Sequence, residues 1–317
     1  MKNRRFAIAS AVAATALALG ACSGGSDEGG GDFPDKDITL IVQADAGGGS
    51  DLTSRALASA LEPILGVSIV VENRPGASGS TAMQYVRDQE ADGYTVGFGP
   101  VEIAMLGHQG YDIDPDDFTF LSQIMNAPGV LSVPADSPYE SIEEFVDAGQ
   151  SEELSIANSG AGSIWEAAAL GLADETGMQI SPVPFDGGGP AVAAVIGNQV
   201  DAGVSGSGEA LAAMEEGQVK PLVVFNDERL DDMPDVPTAA EAGLGDLEFG
   251  GWGGIYGPKD IPSDVVSTLE SAISEALESE DYEQTVTNSG NLVVHKDAEA
   301  HDEFVHSEYE RFAELLG

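Results

Sequence analysis

The sequence predicts an α/β protein made of two successive units, each a mostly parallel sheet flanked by helices. Three observations carry this. Short runs rich in Val, Ile and Leu alternate with helix-forming runs, the order that builds parallel sheets. Glycine-rich turns recur between a strand and the following helix, as in "DAGGGSD", "NSGAGS" and "FDGGGP". The chain has 317 residues, 42% of them apolar, which is enough for two modest cores.

The elements follow in order. "DITLIV" (Asp37–Val42) reads as a strand, the glycine turn comes next, and Ser50–Leu65 reads as a helix. Val67–Glu72 is a second strand, "NRPGASGS" a turn, Thr81–Asp88 a helix and Tyr94–Phe98 a third strand. A second unit begins after about Asn126. There "ELSIANSGAG" (Glu153–Gly162), "PVPFDGGGPAVAAVIG" and "QVDAGVSGSGEALAAM" each repeat strand, turn and helix. Pro190 suits a first helical turn. "RLDDMPDVPTAAEAG" reads as a surface loop, and the tail holds helices at Ser263–Ser279 and Ala298–Leu315 around a short strand near "NLVVH".

The N-terminus has the composition of a leader. "MKNRR" is basic, "FAIASAVAATALALG" is apolar, and "LGAC" brings small residues up to Cys22. Residues 1–21 are therefore expected to be a signal peptide and 22–32 a lipidated tether. Cys22, the only cysteine, resembles the lipid-bearing residue of a bacterial lipobox. The expected location is outside the cytoplasm, on the outer face of the cell membrane. Acids outnumber cations 55 to 12, a net charge of −43. The leader holds three of the cations, Lys2, Arg4 and Arg5, and no acid. Nucleic acid is an unsuitable partner, because phosphates need clustered Lys and Arg.

With so few cations, an anion is best held by main chain. Glycine turns at helix starts expose N–H groups where the helix dipole is positive, and a carboxylate fits there without a side-chain cation. "GGGSD" lacks the Gly-Lys-Ser/Thr of a P-loop, and its glycines lack dinucleotide-fingerprint spacing.

Several stretches together resemble a family. "DKDITLIVQADAGGGSDLTSRALASAL", "VVENRPGASGSTA", "ADGYTV", "PFDGGGPA", "PDVPTAAEAGL" and "GWGGIYGPKDIP" look like the extracytoplasmic substrate-binding receptors of tripartite tricarboxylate transporters, the TctC or Bug family. The resemblance implies a two-lobed, periplasmic-binding-protein-like (type II) fold, with lobe I at 33–126 plus 251–317 and lobe II at 127–250. It implies a cleft that closes on a carboxylate-bearing metabolite, delivery to membrane permease subunits, and no cofactor, metal or catalysis. It places ligand contacts on Ala44, Asp45, Gly48, Gly49, Ser50 and Asp51 in the first lobe. In the second lobe it places them on Ser159, Gly162, Ser163, Phe185, Gly187, Gly188, Gly189 and Asp201. The sequence departs from the family pattern at Gln43, Ala44, Asp45 and Asp186, and has Trp165 where a histidine is common nearby. If Asp45 and Asp186 faced the cleft they would repel a polycarboxylate.

Two other readings stay open on the sequence. A secreted hydrolase would need a Ser–His–Asp set, but "GVSGS" lacks the closing glycine of a nucleophile elbow. Of the histidines, His301 and His306 are five apart, off a shared helix face, and are expected at the surface. A surface lipoprotein without transport function would explain the anchor but not the glycine turns.

Overall fold

The computed structural model describes residues 33–47, 49–245 and 247–316. The leader, the tether with Cys22, and Gly48 lie outside the described residues. The chain opens as β1 (Ile38–Val42), α1 (Gly49–Leu65), β2 (Ile69–Asn73), α2 (Ser80–Arg87) and β3 (Thr95–Pro100). Strand β1 lies between β2 and β3 and is parallel to both. All of β1 except Thr39 is buried, so its sequence shows an unbroken apolar run rather than alternation.

Strand β4 (Phe118–Asn126) completes the first passage through this sheet, and two residues later β5 (Gly129–Pro134) starts a second one. The second sheet is built from β5, α3 (Ile142–Gly149), β6 (Leu154–Asn158), α4 (Ile164–Thr176), β7 (Ile180–Pro184), α5 (Gly188–Ile196), β8 (Ala202–Gly206), α6 (Ser207–Glu215) and β9 (Val219–Phe225). The chain then returns through β10 (Gly253–Pro258) and ends with α7 (Ser263–Leu277), α8 (Glu280–Thr287), β11 (Leu292–Lys296) and α9 (Ala298–Leu316). The sheet orders are β11-β4-β10-β3-β1-β2 and β7-β6-β8-β5-β9. Two sheets flanked by helices make the expected two-lobed α/β fold. None of the described helices is long and apolar enough to cross a membrane.

One expectation is corrected: neither sheet is mostly parallel. In the first, β10 is antiparallel to β3 and β4, and β11 to β4. In the second, β5 is antiparallel to β8 and β9, while β6 is parallel to β7 and β8. Parallel neighbours need a crossover of a dozen or more residues, usually a helix. Strand β5 is entered directly from β4, so the crossing sets its direction. The recurrence of strand, turn and helix extends across neither crossing, which is why the sequence hides the mixed pairing.

The two crossing segments pair with each other. Gly251 N–H donates to Ala127 O at 2.9 Å and Gly129 N–H to Phe249 O at 2.7 Å. Strand β3 shows why two glycines stand inside a strand. A Cβ on Gly97 would lie 2.5 Å from Tyr256 Cζ, and one on Gly99 would lie 2.7 Å from Tyr256 Cδ1. The tyrosine ring, fully buried, occupies the side-chain space that these two residues leave free.

Candidate functional site

The ends of β1, β3, β6 and β8 lead into the walls of one cleft of about 860 Å³. This is where open α/β sheets hold ligands. Of the residues nominated from the sequence, Ala44, Asp45, Gly49, Ser50, Ser159, Gly162 and Ser163 line it. Gly48 lies outside the described residues.

The first turn is shaped by Asp51. Its carboxylate accepts from Gly47 N–H (2.8 Å), Asn73 Nδ2 (2.8 Å) and Arg55 Nε (3.0 Å). The Arg55 guanidinium, helped by those amides, holds this carboxyl down at about 2, against the opposing effect of burial. Asn73 also donates to Ala44 O at 3.0 Å, tying the NRPG turn to the glycine turn. Asp51 is thus buried support rather than cleft lining. The amides of Gly49, Ser50 and Asp51 meet no acceptor among the described residues, as expected for a first helical turn. Gln43 Nε2 donates to Ser50 Oγ at 3.2 Å, which leaves the Ser50 O–H free to donate elsewhere.

The second turn is capped from within. Ser163 Oγ accepts from Glu166 N–H at 3.2 Å, and the Glu166 carboxylate accepts from Gly162 N–H at 2.5 Å. Those bonds use one amide of the loop and one of the first turn of α4. The amides of Ser159, Ala161, Ile164 and Trp165, all cleft-lining residues, meet no acceptor among the described residues. Residues with free main-chain donors therefore line the cleft from both lobes.

The third glycine turn is placed differently. Phe185, Gly187, Gly188 and Gly189 do not line the cleft. Phe185 packs beside Ala191 and Val195 in a small core, and Gly187 N–H bonds to Ser159 O at 3.2 Å. Glu209 stands in front of this turn: a Cβ on Gly188 would lie 2.2 Å from its Oε1. Asp201 lies at the start of β8, away from the strand ends that carry the cleft. Its carboxylate accepts from Ser155 N–H (2.8 Å) and Ser155 Oγ (2.6 Å). Asp186 is exposed and outside the lining, whereas Asp45 is within it.

Residues not nominated as ligand contacts complete the walls. They include Gln43, Pro75, Gly76, Ser78, Gly79, Phe98, Glu102, Gln109, Trp165, Glu209, Trp252 and Asn291. The lobes touch at two places beside the cleft. Gln109 Nε2 donates to Gly162 O at 2.8 Å, and Gly162 has φ +74° with this amide 2.9 Å from where a Cβ would be. Ser207 Oγ donates to Gly290 O at 2.5 Å, with Gly208 pressed against Ser289.

The described lining contains no Lys, Arg or His. Burial raises both Glu102 and Glu209 above the usual carboxylate range. Glu209 is exposed as a residue, although protein atoms crowd its carboxylate. A second cavity of about 630 Å³ shares Trp252 and Asn291 with the first and is lined by Arg229, Lys296 and Arg311. These cations are engaged already: Arg229 with Glu241, Arg311 with Glu308, and Lys296 over the Phe304 ring. His301 is buried against Trp252 and Phe120, not at the surface as expected, and burial lowers it to about 3.

A family model described as "Tripartite tricarboxylate transporter family receptor" matches residues 53–317. A TctC solute binding protein from Polaromonas is 28% identical, with a TM-score of 0.83, over 90% of this chain and 99% of that one. MatC from Rhodopseudomonas palustris, solved with bound malate, is 30% identical with a TM-score of 0.73, over 90% and 100%. Another R. palustris protein, solved with adipate, is 27% identical with a TM-score of 0.75, over 90% and 99%.

Proposed function

The chain belongs to the tripartite tricarboxylate transporter receptor family, and from that premise we propose that it captures a small carboxylate-bearing metabolite and hands it to the family's membrane permease. One observation carries the ligand class: residues whose amides meet no acceptor among the described residues, Gly49 and Ser50 in one lobe and Ser159, Ala161, Ile164 and Trp165 in the other, line one cleft. Such donors bind an anion without a side-chain cation. The Ser50 hydroxyl adds a donor beside them. Asp51, Asn73 and Arg55 preset the first turn, so little ordering is left to the ligand.

In this reading lobe I is 33–126 plus 251–317 and lobe II is 127–250. The paired crossing segments near Asn126–Gly129 and Glu248–Gly251 flex, and the lobes close on the ligand. Closure follows only if the closed form holds the ligand more tightly than the open form. No bond is made or broken. The protein works outside the cytoplasm, held to the membrane through lipid on Cys22.

Thermal and calorimetric titration of the intact chain with malate, adipate and other small carboxylates tests this. A ligand at about 100 times its dissociation constant adds about 2.7 kcal/mol of stability. Binding by no carboxylate would remove the proposal. Mass spectrometry of the membrane fraction tests the anchor: an unmodified chain that stays soluble refutes it.

A further inference from the structure

We infer that the ligand carries a positively charged nitrogen besides its carboxylate, held by carboxylates that both lobes supply; this rests on the receptor reading above. The described lining has three acids, Asp45, Glu102 and Glu209, and no cation to balance them. Glu102 follows β3 in the first lobe. As a residue it keeps some exposed surface, but its carboxyl group is surrounded by protein. Among the described residues that group meets no donor except its own backbone N–H. Glu209 comes from the second lobe, and its carboxylate accepts one N–H, that of Gly206, at 3.3 Å. An enclosed Glu102 carboxylate whose one donor is its own N–H is costly unless a cation joins it, and Glu209 presents a second, poorly partnered carboxylate to the same cleft.

The apolar part of the lining fits the same chemistry. Phe98, Trp165 and Trp252 contribute aromatic surface, which attracts ammonium groups electrostatically. A plain dicarboxylate would bring two negative charges to walls that hold three acidic residues, in a chain of net charge −43. A zwitterion divides the work. Its carboxylate takes the free amides at Gly49 and Ser50, and its nitrogen takes Glu102 and Glu209. Because those two acids come from different lobes, a cation bound to both favours the closed form over the open one.

The test is isothermal titration of the intact chain at pH 7 with 4-aminobutyrate, β-alanine and glycine betaine, beside succinate, malate and adipate. At least one amino-carboxylate is expected to bind about tenfold or more tighter than all three dicarboxylates. Glu102→Gln and Glu209→Gln are each expected to weaken that ligand by about tenfold or more, with little change in the thermal unfolding of the free protein. If one variant fails to fold, the other, from the opposite lobe, carries the test. A dicarboxylate binding more tightly than every amino-carboxylate overturns the inference and leaves the receptor reading standing. So do Gln variants that keep the amino-carboxylate affinity. Failure of all six compounds to bind a folded chain overturns the inference and the carboxylate-receptor reading together.

Discussion

Replacing Gly208 by alanine adds one methyl group where the two lobes meet. The new Cβ would lie 2.0 Å from Ser289 O and 3.1 Å from Ser289 C, both main-chain atoms that cannot rotate aside. Ordinary contact begins near 3.4 Å, so the two segments must part by roughly 1.4 Å. The Ser207 Oγ–Gly290 O hydrogen bond, now 2.5 Å, would then exceed hydrogen-bonding range. A lost neutral hydrogen bond costs about 1 kcal/mol, and lost packing around it brings the total to about 1–3 kcal/mol. The contact joins one lobe to the other and lies outside the core of either. Gly208 also has an ordinary helical backbone in α6, where alanine gains about 1 kcal/mol of helix propensity. On the reading that this approach forms only when the lobes close on ligand, the unfolding temperature of the free protein should hold or rise. Ligand affinity should fall by about 5- to 150-fold, because only the closed form is penalised. Calorimetric titration with the tightest ligand found, and small-angle scattering with and without it, measure both sides. Wild-type affinity in a normally folded Gly208→Ala protein would refute the reasoning: the Gly208–Gly290 approach would then have no part in ligand-driven closure.

Other predictions follow from single contacts. Gly97→Ala should destabilise the fold by about 1–3 kcal/mol in urea denaturation, because its Cβ meets the buried Tyr256 ring at 2.5 Å. Asp51→Asn should cost about 1–2 kcal/mol at pH 7, a figure kept low because Arg55 is half-exposed. Asp51 has its folded pKa depressed to about 2 from 3.8, so its contribution is complete above 3.8 and lost as pH falls towards 2. The stability difference between the Asp51→Asn variant and the native protein should shrink over that window. For His301 the folded value is about 3 against an ordinary 6.5, so above 6.5 both forms are neutral and the group contributes no slope. Below 6.5 the unfolded chain takes a proton that the folded chain refuses, and stability falls by up to about 1.4 kcal/mol per pH unit towards 3. His301→Gln should flatten the stability-against-pH curve between about pH 6 and 4; an unchanged slope would show that His301 is not kept neutral.

Much of the site's frame was legible in the sequence because it is local. A strand's apolar run, a glycine turn and a serine at a helix start are neighbours in the chain, so "DITLIV", "AGGGSD" and "NSGAGS" announce β1, the first turn and the start of α4. Asp51 was picked out with its turn, although its role is to shape the loop rather than to line the cleft. The third glycine turn looked equivalent to the others because its local sequence is equivalent. In the folded chain Glu209, some twenty residues further on, stands against it and lines the cleft in its place. The mixed strand pairing was hidden for a related reason, since it is set at crossings rather than inside a strand–helix unit.

The order of residues alone gives an α/β class, the family, and the expectation that main chain rather than side chain captures an anion. Composition, periodicity and capping are properties of residues close together along the chain. Folding in three dimensions selects which few of 55 acids matter. Asp45, Glu102 and Glu209 line the cleft while Asp186 and Asp201 do not, and no local pattern separates these groups. The charge a ligand meets depends on groups brought together from distant segments of two lobes, and that convergence exists only once the chain is folded.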